Sequence, residues 1–66
     1  MRLTINGQAQ NRPSTCSVAT LVAEIIAAQR GVAVAVNGTV VPRSTWAKVD
    51  LADGDRVEVL TAAQGG

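Results

Sequence analysis

Two Asn-Gly pairs, Asn6-Gly7 and Asn37-Gly38, stand on either side of one helical stripe, and no other feature constrains the fold as much. Asn and Gly both tolerate positive φ, which a two-residue hairpin turn demands at its central positions. Each pair follows a run with the period of a strand. Met1-Arg2-Leu3-Thr4-Ile5 alternates apolar and polar residues, and Gln8 to Arg12 reads as a polar return strand at a sheet edge. Pro13 ends that strand because it has no N–H to give a ladder. Val32-Ala33-Val34-Ala35-Val36 puts large and small residues on opposite faces, and Thr39-Val40-Val41 returns as far as Pro42.

Between the hairpins, Val18, Leu21, Val22, Ile25 and Ile26 recur at the spacing of one helical face. Ser17 is the expected N-cap, its hydroxyl accepting from a free N–H of the first turn. Arg30 suits the negative end of the helix dipole, and Gly31 suits a left-handed C-terminal cap. Arg43 to Lys48 forms an irregular segment or short helical turn around Trp46. Asp53-Gly54-Asp55 is a turn, and Arg56-Val57-Glu58-Val59-Leu60 alternates again as a last strand.

Hairpin, helix, hairpin and final strand leave few topologies. A right-handed crossover through the helix places the first and last strands side by side and parallel, with the helix across one face. That is an α+β architecture, the β-grasp or ubiquitin-like fold, with a mixed sheet whose other face stays open. The expected organisation is a domain over residues 1–61 and a flexible tail over residues 62–66, Ala62-Ala63-Gln64-Gly65-Gly66.

Composition matters for what it excludes. The core must come from ten Val, four Leu and three Ile, since Trp46 is the only aromatic residue. A domain of 66 residues buries only about 60% of its unfolded surface, so stability of roughly 3–5 kcal/mol is expected. With one Cys and no His, neither an internal disulfide nor a zinc site can be assembled. The net charge of +1 and the scattered basic residues give no bulk attraction to nucleic acid or an anionic membrane. No apolar run approaches the roughly 20 residues of a membrane span, and the N-terminus lacks the pattern of a signal peptide. The expectation is a soluble cytoplasmic protein with no bound cofactor or metal. General acid–base chemistry usually falls to His or to a tuned carboxylate. Here Asp50, Asp53 and Asp55 lie in a turn, and Glu24 and Glu58 on solvent faces. Side-chain catalysis is therefore not expected.

The terminus offers a different chemistry. Gly65-Gly66 removes side-chain bulk and the restriction on φ, so the chain end can thread a narrow channel and present a bare carboxylate in another protein's active site. Ordering such a tail costs roughly 1–2 kcal/mol per residue, so the docking energy must come from the folded body.

The residues themselves resemble the ThiS family, the sulfur carriers of thiamine (thiazole) biosynthesis, from end to end. The most telling stretch is Val36-Asn37-Gly38-Thr39-Val40-Val41-Pro42-Arg43-Ser44-Thr45-Trp46, similar to that family's hairpin and its Val-Pro-Arg followed by tryptophan. Leu51-Ala52-Asp53-Gly54-Asp55 resembles the family's last turn, and Gln64-Gly65-Gly66 its end. The resemblance implies that a ThiF-like adenylating enzyme activates the Gly66 carboxylate with ATP. A persulfide donor then replaces AMP, and the resulting thiocarboxylate passes to a ThiG-like thiazole synthase. The chain would be a consumed and regenerated co-substrate, not an enzyme.

Recognition by partners is expected on the open sheet face. If Val57 and Val59 point to the helix, then Arg56, Glu58 and Leu60 point outward, with Ala33 and Ala35 alongside, as a small apolar patch with a charged rim. Cys16 reads as an ordinary small residue, Trp46 as a packing plug and Arg43 as a solvated charge. The nearest alternative is a carrier of the MoaD family, the small subunit of molybdopterin synthase. Those chains are longer, and the Val-Pro-Arg…Trp segment favours the thiamine carrier. A ubiquitin-type modifier and an interaction module with an inert tail are the remaining alternatives.

Overall fold

The computed structural model describes residues 1–26 and 31–61. Strands β1 (Arg2–Ile5) and β2 (Gln8–Asn11) form the first hairpin, and helix α1 (Val18–Ile25) follows. Strands β3 (Val32–Val36) and β4 (Thr39–Val40) form the second hairpin, then come a 3₁₀ helix over Arg43–Lys48 and strand β5 (Arg56–Thr61). The five strands lie in the order β2-β1-β5-β3-β4. The last strand is thus in the centre of the sheet, parallel to β1 and antiparallel to β3. This is the mixed β-grasp sheet expected from the topology.

Both hairpins turn as their residues dictate. Asn6 and Gly7 have φ of 50° and 83°, and Asn37 and Gly38 have 52° and 84°. Positive φ at both central positions matches the right-handed twist of the flanking strands, as in a type I′ turn. A Cβ at Gly7 or Gly38 would meet nothing within 4 Å, so glycine is required there for conformation and not for space.

Alternation sets the two faces. Leu3 and Ile5 of β1, Val34 of β3, and Val57 and Val59 of β5 are buried beneath the helix. From the helix come Val18, Leu21 and Val22, each with no exposed surface. Ser17 caps α1 as expected, its Oγ accepting from the Thr20 N–H at 3.1 Å. The remaining side of the core is closed by Val41, Leu51 and Trp46. Trp46 is 4% exposed, and its indole N–H donates to the Val41 carbonyl at 2.8 Å. The single aromatic ring therefore plugs the 3₁₀ segment onto the core and satisfies its polar atom there.

Two expectations require correction. The helix stops at Ile25, and Ile26 is extended (φ −128°, ψ 124°) while its N–H still donates to the Val22 carbonyl. Ile25 is 43% exposed, whereas Ile26 packs against the core. Adjacent β-branched residues lose rotamer freedom in a helix and favour extended backbone, and leaving the helix at Ile26 keeps that side chain on the core. Gly31 does have a left-handed φ of 68°, but it lies beyond the end of α1 and does not cap it. Arg30 lies outside the described residues. The second correction concerns Arg43, which is not merely solvated. Its guanidinium sits over the Trp46 ring, 5.7 Å from the centroid, a contact worth roughly 0.5–1 kcal/mol at an exposed position.

Candidate functional site

The face of the sheet away from α1 carries no covering element among the described residues. Along β5 exposure alternates: Val57 and Val59 are buried, while Arg56, Glu58 and Leu60 are exposed. The β3–β5 register sets Ala33 opposite Leu60 and Ala35 opposite Glu58. Directly opposed residues of an antiparallel pair share a face, so all five expected patch residues lie together on the open side. The small Ala33 side chain leaves Leu60 standing above its surroundings at 67% exposure.

One member of this surface was missed in the sequence. Val40 of β4 pairs with Ala35 and is 70% exposed. The stripe therefore runs Val40, Ala35, Ala33, Leu60 across three strands, with Arg56 and Glu58 beside it. The signal was available: with Asn37-Gly38 as a two-residue turn, the register sends Val40 outward and Val41 inward.

The acids of the turn are occupied locally. An Asp53 carboxylate oxygen accepts from the Arg2 N–H at 2.6 Å. Asp55 accepts from the Ala52 N–H at 2.8 Å and from the Asn37 side chain at 2.9 Å. Glu24 pairs with Arg12 on the surface. These carboxylates shape turns and a surface contact, and no group of three His, Cys, Asp or Glu converges among the described residues. No pocket is present there either. Cys16 is half-buried against the core, and its carbonyl accepts from the Leu51 N–H at 2.8 Å, which is the environment of a packing residue. Among the described residues no helix is long and apolar enough to cross a membrane.

Strand β5 is held on both sides by side chains as well as by its neighbours. Asn6 donates to the Val59 carbonyl at 3.1 Å and accepts from the Val59 N–H at 2.8 Å. Asn37 accepts from the Arg56 N–H at 2.9 Å, and its own N–H donates to the Arg56 carbonyl at 2.7 Å. Thr61 is the last described residue, so Gly65 and Gly66 lie outside the described residues.

A model of the ThiS family matches residues 3–66. The chain is 38% identical, over all 66 residues, to a thiazole synthase of Paramagnetospirillum magneticum, but it spans only 20% of that protein's length. It is 32% identical to the sulfur carrier protein ThiS of Escherichia coli, and each chain is covered completely. Among solved structures, the crystal structure of the thiamine biosynthesis protein ThiS from Geobacter metallireducens matches with a TM-score of 0.83. That match is at 33% identity and covers both chains completely. The solution structure of a thiamine biosynthesis protein from the same organism matches equally well, over 88% of its length.

Proposed function

This chain belongs to the ThiS family, a sulfur carrier of thiamine biosynthesis, and from that membership we propose that it carries sulfur on the terminal carboxylate of Gly66. The observation that carries this reading is the match through residue 66 to the family and, end to end, to a protein named as a sulfur carrier. A β-grasp body with the Gly65-Gly66 end supports it, because the strand that precedes this end in the sequence lies in the middle of the sheet.

A carboxylate is a poor electrophile and needs activation. A Gly66 oxygen attacks the α-phosphorus of ATP, pyrophosphate leaves, and the mixed anhydride with AMP makes the acyl carbon reactive. The terminal sulfur of a persulfide attacks that carbon and AMP departs, giving an acyl disulfide. A thiol then cleaves the S–S bond, leaving the thiocarboxylate on the carrier and a disulfide behind. A thioacid ionises well below an ordinary thiol, so the product is an anionic sulfur nucleophile at neutral pH. The described acids are engaged in turns or exposed, and the chain has no His. The catalytic groups for these steps therefore belong to the partners: a ThiF-like adenylating enzyme, a persulfide donor, and a ThiG-like thiazole synthase as acceptor. Similarity of the whole chain to a fifth of a thiazole synthase supports that acceptor.

The test is intact mass spectrometry after incubation with the adenylating enzyme, ATP and a persulfide donor. A species heavier by the exchange of one oxygen for sulfur, mapped to Gly66, is expected. A terminus that remains a carboxylate under those conditions would refute the reading.

Docking falls to the open sheet face. Leu60→Asp places a charge at the β5 end of the Val40–Leu60 stripe. Removing an exposed apolar anchor of this kind costs roughly 2 kcal/mol of binding, about a thirtyfold loss at 1.4 kcal/mol per decade. Adenylation efficiency (kcat/KM for the carrier) should fall by that factor while the circular dichroism spectrum is retained. Normal activation of this variant would remove the face from consideration.

A further inference from the structure

The parallel ladder between β1 and β5 ends before β5 does. The Thr4 N–H donates to the Asp55 carbonyl at 3.0 Å, and the Asn6 N–H donates to the Val57 carbonyl at 2.9 Å. At Asn6-Gly7 the backbone turns away with positive φ at both residues, so the β1 backbone goes no further along β5. The Asn6 carboxamide takes over. It supplies both a donor and an acceptor to Val59, at 3.1 and 2.8 Å, and so adds one more rung made of side-chain atoms. On its other side β5 is paired with β3 out to Thr61. Without Asn6, β3 alone among the described residues would hold this end of β5.

The geometry points to Asn6 as a positioning residue for the sulfur-loading reaction: its carboxamide fixes the end of β5, the described stretch of chain that precedes the reactive terminus in the sequence. This rests on the reading of Gly66 as the working group. An amide side chain is required because Val59 needs a donor and an acceptor from one group, and Asn also tolerates the left-handed φ of 50° at this turn. Restricting where the tail starts restricts the volume its carboxylate must search, and misplacement by about 1 Å can cost up to a hundredfold in rate. The chain supplies its own control. Asn37 occupies the same position in the second hairpin and also makes two side-chain hydrogen bonds, to Arg56 and Asp55, but at the opposite end of β5.

The experiment measures ATP–pyrophosphate exchange by the adenylating enzyme, with the full chain as carrier substrate, for Asn6→Gly and Asn37→Gly. Both changes keep positive φ accessible and delete two hydrogen bonds. Trp46 fluorescence sets a temperature at which each variant is folded. Asn6→Gly should lower kcat about tenfold while KM for the carrier stays unchanged, and Asn37→Gly should match the unaltered chain in both. Amide exchange at Val59 should accelerate only in Asn6→Gly. A retained kcat in Asn6→Gly, or an equal loss in Asn37→Gly, overturns the assignment. If Asn6→Gly does not fold, Asn6→Asp keeps the acceptor for the Val59 N–H but sets an oxygen against the Val59 carbonyl. A folded Asn6→Asp chain with full kcat overturns the assignment equally. Failure of the unaltered chain to support exchange would refute the Gly66 reading itself, and the role of Asn6 with it.

Discussion

Deletion of Gly66 should leave a folded domain that accepts no sulfur. The buried core among the described residues runs from Leu3 to Val59, and a terminal glycine has no side chain to add to it. The chemistry, by contrast, is proposed to occur at the terminal carboxylate and nowhere else. A chain ending at Gly65 still has a carboxylate, but it is set back by one residue, up to about 3.6 Å of reach, from a site where misplacement by about 1 Å is already expensive. Loss of loading should be effectively complete, read as absence of the oxygen-to-sulfur mass shift, with unfolding by urea unchanged. An inert-tail interaction module predicts the opposite: no change on deletion. Loading of the truncated chain at the normal rate would therefore show that the reaction does not require Gly66.

The second large effect is on stability. Leu21→Ala removes a side chain with no exposed surface from the middle of α1. Truncating a buried leucine costs about 2–5 kcal/mol, against a total of roughly 3–5 kcal/mol for a domain of this size. The variant should be at or near its unfolding midpoint in water at room temperature. Trp46, 4% exposed and the single aromatic residue, reports this by fluorescence without an added probe. The urea transition should shift to near zero denaturant, with the slope preserved if cooperativity survives. A loss below about 1 kcal/mol, the centre of the distribution for all substitutions, would show that α1 does not carry the packing described for it.

Both effects depend on features legible in the residues alone. The Asn-Gly pairs announced the hairpins because few residues accept their backbone angles, and the alternation in β1, β3 and β5 assigned inward and outward faces because a strand has a period of two. The patch of Leu60, Ala33, Ala35, Arg56 and Glu58 followed from that alternation once the register of β3 against β5 was in place. The last turn of the helix was less legible. The stripe pattern treats Ile25 and Ile26 as equivalent members of one face, while the fold exposes the first and buries the second by changing backbone conformation between them.

The sequence by itself determined the elements, their order, the inward faces and the glycine end, because each is encoded in residues close together along the chain. Only the tertiary structure decided what holds the central strand. Asn6 and Val59 are 53 positions apart, and Asn37 meets Arg56 across 19. A turn asparagine has the same local signature whether its carboxamide faces water or bridges a distant backbone. Hydrogen bonds of that range depend on which strands become neighbours, and that is settled by burial of the whole apolar face beneath α1, which no local pattern contains.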